Sequence, residues 1–218
     1  MGLNLGSGAL DALDVRLGSV TPPAVYHGSS LVWPLTEATW DGGFESIATI
    51  TVGAGGASSI EFVDIPQTFS HLQIRMIGRD NRAAYFNNNV LQFNGDTTAA
   101  NWANHFLYGE GNSASAFGSG DAAFNRFHNH SASALANSFS AIIMDILDYS
   151  STSKNTTVRV LQGRDNNGTG SGGDNQGFVM LSSGLWKNTS AVSSIKIAPQ
   201  NSASFVQHST AALYGVRG

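Results

Sequence analysis

Apolar and polar positions alternate over most of the chain after Gly42. In the clearest segment, Phe69–Ile77, Leu72, Ile74 and Met76 share one parity while polar residues hold the other. Such alternation predicts a strand with one buried and one solvated face, because successive side chains of a strand point to opposite sides. Turn residues separate similar segments along the chain. The predicted strands are Phe44–Val52, Ser58–Val63, Phe69–Ile77, Val90–Asn94, Trp102–Tyr108, Phe139–Leu147, Thr157–Gln162, Gly177–Leu185, Ser193–Ala198 and Phe205–Val216.

The number and spacing of these strands indicate the fold class. No segment shows a convincing amphipathic helix, and the predicted strands are short and joined by turn-rich stretches. This pattern predicts an all-β protein, an antiparallel β-sandwich, and within that class a jelly roll.

Residues 1–40 differ from the rest of the chain. They consist of short apolar phrases, each closed by Gly or Pro, and lack long alternation. Strands this short do not build a core alone and must dock onto something else. We therefore expect a short extended N-terminal docking arm, residues 1–40, followed by the sandwich domain, residues 43–218.

The segment Gly109–Asn137 is the longest stretch after the arm without predicted strand alternation. It is rich in Gly, Ser, Ala and Asn. Long connections without regular structure are commonly functional, and loops held by a rigid sandwich commonly carry recognition. We expect this segment to be a loop that forms a binding tip or a contact with a neighbouring subunit.

Composition excludes several classes of function. The chain has 218 residues, no cysteine, 12% charged residues and a net charge of −4. A disulfide scaffold, a thiol nucleophile and a Cys-ligated metal are therefore excluded. The acidic balance argues against nucleic-acid binding. The longest apolar run, 141–144, is far too short to span a bilayer, so no membrane insertion is expected.

Several phrases in this order resemble a family of bacteriophage virion proteins described as tail-fibre-like or structural. The resemblance is carried by FESIATITVG (44–53), FSHLQIRMIGRD (69–80), LQFNGDT (91–97), HFLYGEG (105–111), TVRVLQGRDNNG (157–168) and ALYGVRG (212–218). It implies a non-enzymatic virion component with a C-terminal jelly-roll domain. The protein would be made in the host cytoplasm and end in the virion.

The arm contains AVYHGSSLVWP (24–34), which is similar to a short cassette near the termini of many phage tail proteins. The best single anchor in it is Trp33, since a large side chain followed by Pro34 can fill a pocket on a neighbour. The residues expected to dock onto the virion are Val25, Tyr26, Leu31, Val32, Trp33 and Pro34.

Aromatic residues and histidines in the 109–137 segment are the candidate recognition residues. Exposed rings can stack on sugar faces, whereas the ordinary alternative is that they belong to the core or to a subunit interface. Asn125, Asn129 and Ser131 could supply polar groups beside the rings. The residues expected in a recognition or subunit contact are Phe117, Phe124, Phe127, His128 and His130. Trp102, Tyr85 and Phe86 are further aromatics to which the same alternatives apply.

Metal and catalytic chemistry are weighed and not expected. His128 and His130 would share one face of an extended chain, and a three-fold axis would bring six such imidazoles together, but no third ligand is near in sequence. Asp145 and Asp148 have opposite parity and do not form a glycosidase pair. The segment 165–174 could hold calcium but lacks the EF-hand pattern. We expect no enzyme activity, no metal and no cofactor.

The function expected from the sequence is that of a tail-associated fibre, adaptor or receptor-contact module. The expected partners are other copies of the chain in a homotrimer, tail, baseplate or capsid proteins, and a host surface glycan. One alternative is a capsid decoration or head-fibre protein, and a more distant one is a carbohydrate-directed depolymerase.

Overall fold

A computed structural model describes residues 25–27, 30–33, 43–120, 122–166 and 177–217. The chain divides into two units, Met1–Gly42 and Gly43–Gly218. In the first unit, strand β1 (Val25–His27) pairs antiparallel with strand β2 (Ser30–Trp33), so that Val25 lies opposite Trp33. The short phrases of the arm therefore form a small hairpin in this part.

In the described part of the second unit, the regular structure consists of strands and a short 3-10 helix at Ala99–Asn101. The strands are β3 (Phe44–Thr51), β4 (Ile60–Phe62), β5 (His71–Gly78), β6 (Phe86–Phe93), β7 (Trp102–Glu110), β8 (Ser113–Gly120), β9 (His128–His130), β10 (Ser140–Leu147), β11 (Thr156–Arg164), β12 (Phe178–Trp186), β13 (Ile195–Pro199) and β14 (Thr210–Val216).

These strands form two antiparallel sheets that pack as a sandwich. The larger sheet has eight strands in the order β3-β14-β5-β10-β11-β12-β7-β8, and the smaller has four in the order β4-β13-β6-β9. The predicted all-β antiparallel sandwich is confirmed. The strand order does not establish the jelly-roll topology, which stays a prediction.

Alternation along the strands explains which side of the large sheet is buried. In β5, Leu72, Ile74 and Met76 are buried while Arg75 and Ile77 are exposed. The same period of two continues through β10, β11 and β12. The buried parity of each strand meets the small sheet, and the core therefore lies between the two sheets.

One end of the core is an aromatic cluster. Trp102 stacks on Phe124 with ring centroids 5.8 Å apart, and Phe93 contacts both Trp102 and Trp186. The Trp186 indole N–H donates to Asp96 Oδ2 over 2.8 Å. Burial opposes ionisation of Asp96, but hydrogen bonds from Trp186, Asn101 and Thr98 outweigh it and lower its pKa to about 2.

The prediction of one long loop from Gly109 to Asn137 is wrong. Strand β8 lies inside this segment and pairs along its whole length with β7, and strand β9 lies further on and pairs with β6. Strand β8 reads Ser-Ala-Ser-Ala-Phe-Gly-Ser-Gly and is almost wholly exposed. It carries no hydrophobic alternation because it is an edge strand held by its ladder to β7 rather than by burial.

The face of the large sheet turned away from the core carries two adjacent apolar rows. One row runs across four strands, with Ile143 opposite Leu161, Leu161 opposite Leu181 and Leu181 opposite Leu107. All four of these side chains are at least 42% exposed. The next row contains exposed Ile77 and Val179, separated by Ala141 and Gly163. We call these two rows the apolar outer face.

Candidate functional site

A pocket of about 470 Å³ opens beside strands β7 and β8, and its wall is mostly aromatic. Its size falls within the range of roughly 300–1,000 Å³ found for small-molecule sites. Consecutive ring contacts of 4.9 to 5.9 Å link the six rings of the wall. In order, they are Phe117, Phe106, Tyr108, Phe178, His128 and Phe86. We call this set the ring row.

The outer half of the ring row is open because burial decreases along β7. Trp102 and Asn104, at the start of that strand, are buried, whereas Phe106, Tyr108 and Glu110 on the same parity are only partly buried. Phe117 lies opposite Phe106 on the edge strand and is 62% exposed. The same side of the sheet is thus core at one end and accessible pocket at the other.

Charged groups of both signs border the rings. The Arg126 guanidinium lies over the Phe106 ring at 4.8 Å, and its Nε donates to Asn104 Oδ1 over 3.4 Å. Glu110 lies 3.8 Å from Arg164, whose guanidinium is buried. Such stacking of a guanidinium on an aromatic face fixes the position of both groups.

Arg164 organises the inner end of the ring row. Its guanidinium lies 4.6 Å from the centre of the Phe86 ring and 4.9 Å from that of Phe178. The His128 imidazole lies between the same two phenyl rings, with centroids 4.9 and 5.0 Å away. Burial, together with the charges of Arg164 and Arg126, lowers the pKa of His128 to about 3. His128 is therefore neutral at physiological pH.

A buried polar network supports this end of the sandwich. The side-chain amides of Asn89 and Asn129 exchange two hydrogen bonds, of 3.0 and 2.5 Å. The backbone N–H of His128 donates to Gln162 Oε1 over 2.7 Å. Burial also raises the pKa of Asp80. Paired amides of this kind hold β6 and β9 in register without a hydrophobic pattern.

The structure separates the predicted recognition residues into two groups. Phe117 lines the pocket and is exposed, so its role in recognition or subunit contact stays a prediction. Phe124 and Phe127 are fully buried in the core, which makes their predicted place in such a contact wrong. The physical reason is that the segment 124–127 is hydrogen-bonded to β6, with Leu91 N–H donating to Phe124 O and Asn89 N–H to Phe127 O, and both rings pack in the core, 6.0 Å apart.

His128 and His130 also lie inside the sandwich. His130 is fully buried, which makes its predicted place in a recognition or subunit contact wrong, whereas His128 is 8% exposed and lines the pocket, so its role in recognition stays a prediction. Burial and the charge of Arg164 lower the pKa of His130 to about 4. A shared metal on a three-fold axis would need exposed imidazoles, which this geometry does not offer. Among the described residues, no three His, Asp or Glu side chains form a metal-binding group.

The predicted virion-docking residues fall on the N-terminal hairpin. Val25 and Tyr26 belong to β1, and Leu31, Val32 and Trp33 belong to β2. Pro34 lies outside the described residues. Their docking role stays a prediction.

The carboxylates weighed for catalysis have separate partners. Asp145 accepts a hydrogen bond from Gln73 Nε2 over 2.8 Å on the outer side of the large sheet. Asp148 pairs with Lys154 at 2.6 Å and lies 3.7 Å from His71 Nδ1. Most of the 165–174 segment lies outside the described residues.

Sequence reasoning missed Phe106, Tyr108 and Phe178 as site residues. Phe106 and Tyr108 have the same parity as Trp102 in one strand, and this pattern does not distinguish pocket rings from core rings. The signal that distinguishes them is indirect: the strand after them, β8, has too few large apolar residues to share a buried layer with them.

Comparisons with protein-family models, with curated proteins and with solved structures find no match. Within the described ranges, no helix has the length and apolar character needed to cross a membrane.

Proposed function

We propose that the chain is a structural protein of a bacteriophage virion, associated with the tail as a fibre, adaptor or receptor-contact module. It acts by binding rather than by catalysis, assembles as a homotrimer, and attaches through its N-terminal arm. The sequence phrases supply the virion resemblance, and the low share of charged residues suits surfaces that are covered in an assembly.

The apolar outer face is the observation that carries the proposed assembly. Leu107, Leu161 and Leu181 stand in register on adjacent strands and are each about half exposed. Contiguous exposed apolar patches on soluble proteins commonly mark interaction sites. Burying these side chains against another protein would remove apolar surface from water, at roughly 25 cal/mol per Å².

The location of the protein in the particle tests the proposal. A gold-labelled antibody against the chain, imaged on intact virions, should mark the tail. Label on the head would support the capsid decoration or head-fibre alternative instead. Absence of label from purified virions, with the chain detected in the host lysate, would contradict the virion assignment.

The arm is tested by deletion. Removing residues 1–38 should leave a folded domain, because the sandwich core is built from residues after Gly42. Circular dichroism should show the β signal unchanged, while the truncated chain no longer joins the particle. An unfolded truncated chain would show that the arm belongs to the sandwich.

A charge on the apolar outer face tests self-association. Leu161→Arg should dissociate the trimer to a monomer in light scattering, because an unpaired charge would be buried in the interface. Leu135→Arg is the matched control, since Leu135 is 56% exposed and lies outside the two rows. A wild-type monomer at micromolar concentration, or a trimer unaffected by Leu161→Arg, would contradict this use of the face.

A further inference from the structure

The outer half of the ring row is a group of three neighbouring aromatic side chains, which we call the platform. Phe106 is the central ring, with Tyr108 stacked on one side at 5.8 Å and Phe117 on the other at 5.9 Å. Phe117 is the most exposed of these rings and stands on the edge strand. Exposed aromatic faces in a concavity favour a ligand that has an apolar face of its own.

The rim of the platform offers hydrogen-bond donors and acceptors together. Arg126 supplies donors directly beside the Phe106 ring, and the Glu110 carboxylate supplies acceptors at the end of the same strand. The Asn88 amide and the Ser115 hydroxyl can each donate and accept. The lining holds one side chain of each charge sign, Arg126 and Glu110, and His128 is neutral.

This combination selects a class of ligand. A phosphate or a nucleotide would call for an excess of positive groups, which the lining does not hold. A hydroxylated ring with an apolar C–H face matches both the exposed Phe117 ring and the mixed rim. We infer that the pocket binds a neutral saccharide, with a pyranose ring lying against the exposed Phe117 ring and its hydroxyl groups directed to Arg126 and Glu110.

The inference deepens the receptor-contact part of the proposed function and rests on it for its biological role. The pocket itself is a property of the isolated chain. Saccharide binding is therefore measured on purified protein, whereas virion membership is measured on particles, and either can fail while the other holds.

Saturation-transfer difference NMR on the full chain tests the pocket. The probes are the methyl glycosides of glucose, galactose, mannose and N-acetylglucosamine, each at millimolar concentration. Irradiation of the protein's aromatic protons should transfer saturation to the ring C–H protons of at least one glycoside. Transfer should be strongest on one face of the sugar ring, because that face contacts Phe117.

Phe117→Ala should weaken this binding by about fivefold or more, as expected for loss of one stacked ring. The matched control is Phe44→Ala, which removes a ring of similar exposure from β3, at the opposite edge of the large sheet. Arg126→Met keeps the length of the side chain but loses the guanidinium, and it should also weaken binding. Thermal melting of each variant establishes that the loss is not caused by unfolding.

Three results would overturn the inference. One is the absence of transfer to every methyl glycoside, and another is equal loss in Phe117→Ala and Phe44→Ala. The third is binding of a different class of ligand. If no glycoside binds, but an uncharged, N-acetylated tetrapeptide amide binds and Phe117→Ala weakens that binding, the pocket is a peptide site.

Discussion

Two groups of aromatic rings lie on the same side of the large sheet and differ in their exposure to solvent. Phe124 and Phe127 are fully buried, with Phe124 stacked on Trp102 and Phe127 stacked on Phe124, while Phe117, only seven residues before Phe124, is 62% exposed beside Phe106. The difference follows the burial of this side of β7, which decreases from Asn104 to Phe106. An aromatic residue therefore becomes core or ligand-accessible surface according to the layer opposite it, not according to its neighbours in sequence.

The largest expected loss of folding stability follows from a substitution in the buried group of rings, Phe124 and Phe127. Phe124→Ala should destabilise the domain by about 3–5 kcal/mol, because it removes a fully buried ring and leaves a cavity next to Trp102. Chemical denaturation of the isolated domain measures this loss. A loss below about 1 kcal/mol would show that Phe124 is not a core residue, and the contrast with Phe117 would be lost.

Acid should lower the stability of the folded chain through the buried His128 at the inner end of the ring row. The pKa of His128 is about 3 in the folded chain, below its ordinary value of 6.5, so the unfolded chain binds more protons between these two values. Above about pH 6.5, His128 is neutral in both states and the free energy of unfolding is not reduced. As the pH falls towards 3, protonation of this histidine in the unfolded chain lowers the free energy of unfolding by an amount on the order of a few kcal/mol. His130, with a lowered pKa of about 4, acts in the same direction.

His128→Phe isolates this effect, since it keeps a ring between Phe86 and Phe178 and removes the titrating group. The melting temperature of this variant should fall less than that of the wild type between about pH 7 and about pH 4. Parallel curves for the two proteins would contradict the assigned burial of His128.

A smaller loss of stability is expected from a substitution at Gly184, which lies next to the Phe124 ring. A Cβ at this position would come within 2.5 Å of Phe124 Cδ2. Gly184→Ala should therefore displace the ring and cost about 1–3 kcal/mol. Gly163→Ala is the matched control on the adjacent strand, because the nearest atom to its Cβ is 3.9 Å away. Equal stability of the two variants would show that Phe124 is loosely packed.

The smallest effect on stability is expected at the exposed ring. Phe117→Ala should change the free energy of unfolding by about 0.5 kcal/mol or less, because the side chain has little buried area to lose. The same denaturation experiment as for Phe124→Ala measures it. A loss comparable to that of Phe124→Ala would mean that Phe117 is covered, by the chain itself or by another copy.

Sequence reasoning predicted the strands whose apolar residues alternate. It missed β8 and β9, which lack this alternation. The segment that contains β5 was predicted because Leu72, Ile74 and Met76 follow the period of two. Strand β8 was taken for a loop because its small and polar residues carry no such period. Strand β9 was missed for another reason: His128, Asn129 and His130 are all buried, so the strand lacks an exposed parity.

The candidate site was predicted only in part for a related reason. Phe117 was selected, but so were Phe124 and Phe127, because local composition does not show which of these rings is packed in the core. Phe106 and Tyr108 were not selected, because their parity is the same as that of the buried Trp102. The edge of a covering layer is a tertiary property, and separating the two groups of rings required the packing of both sheets.

Solvent accessibility of individual rings tests the contrast between the two groups most directly. The chain contains 12 phenylalanines, which can be replaced by fluorophenylalanine and assigned by single Phe→Leu variants. A soluble nitroxide should broaden the fluorine resonance of Phe117 strongly and leave those of Phe124 and Phe127 sharp. Broadening of Phe124 or Phe127 to the same extent as Phe117 would contradict the division between core and pocket described above.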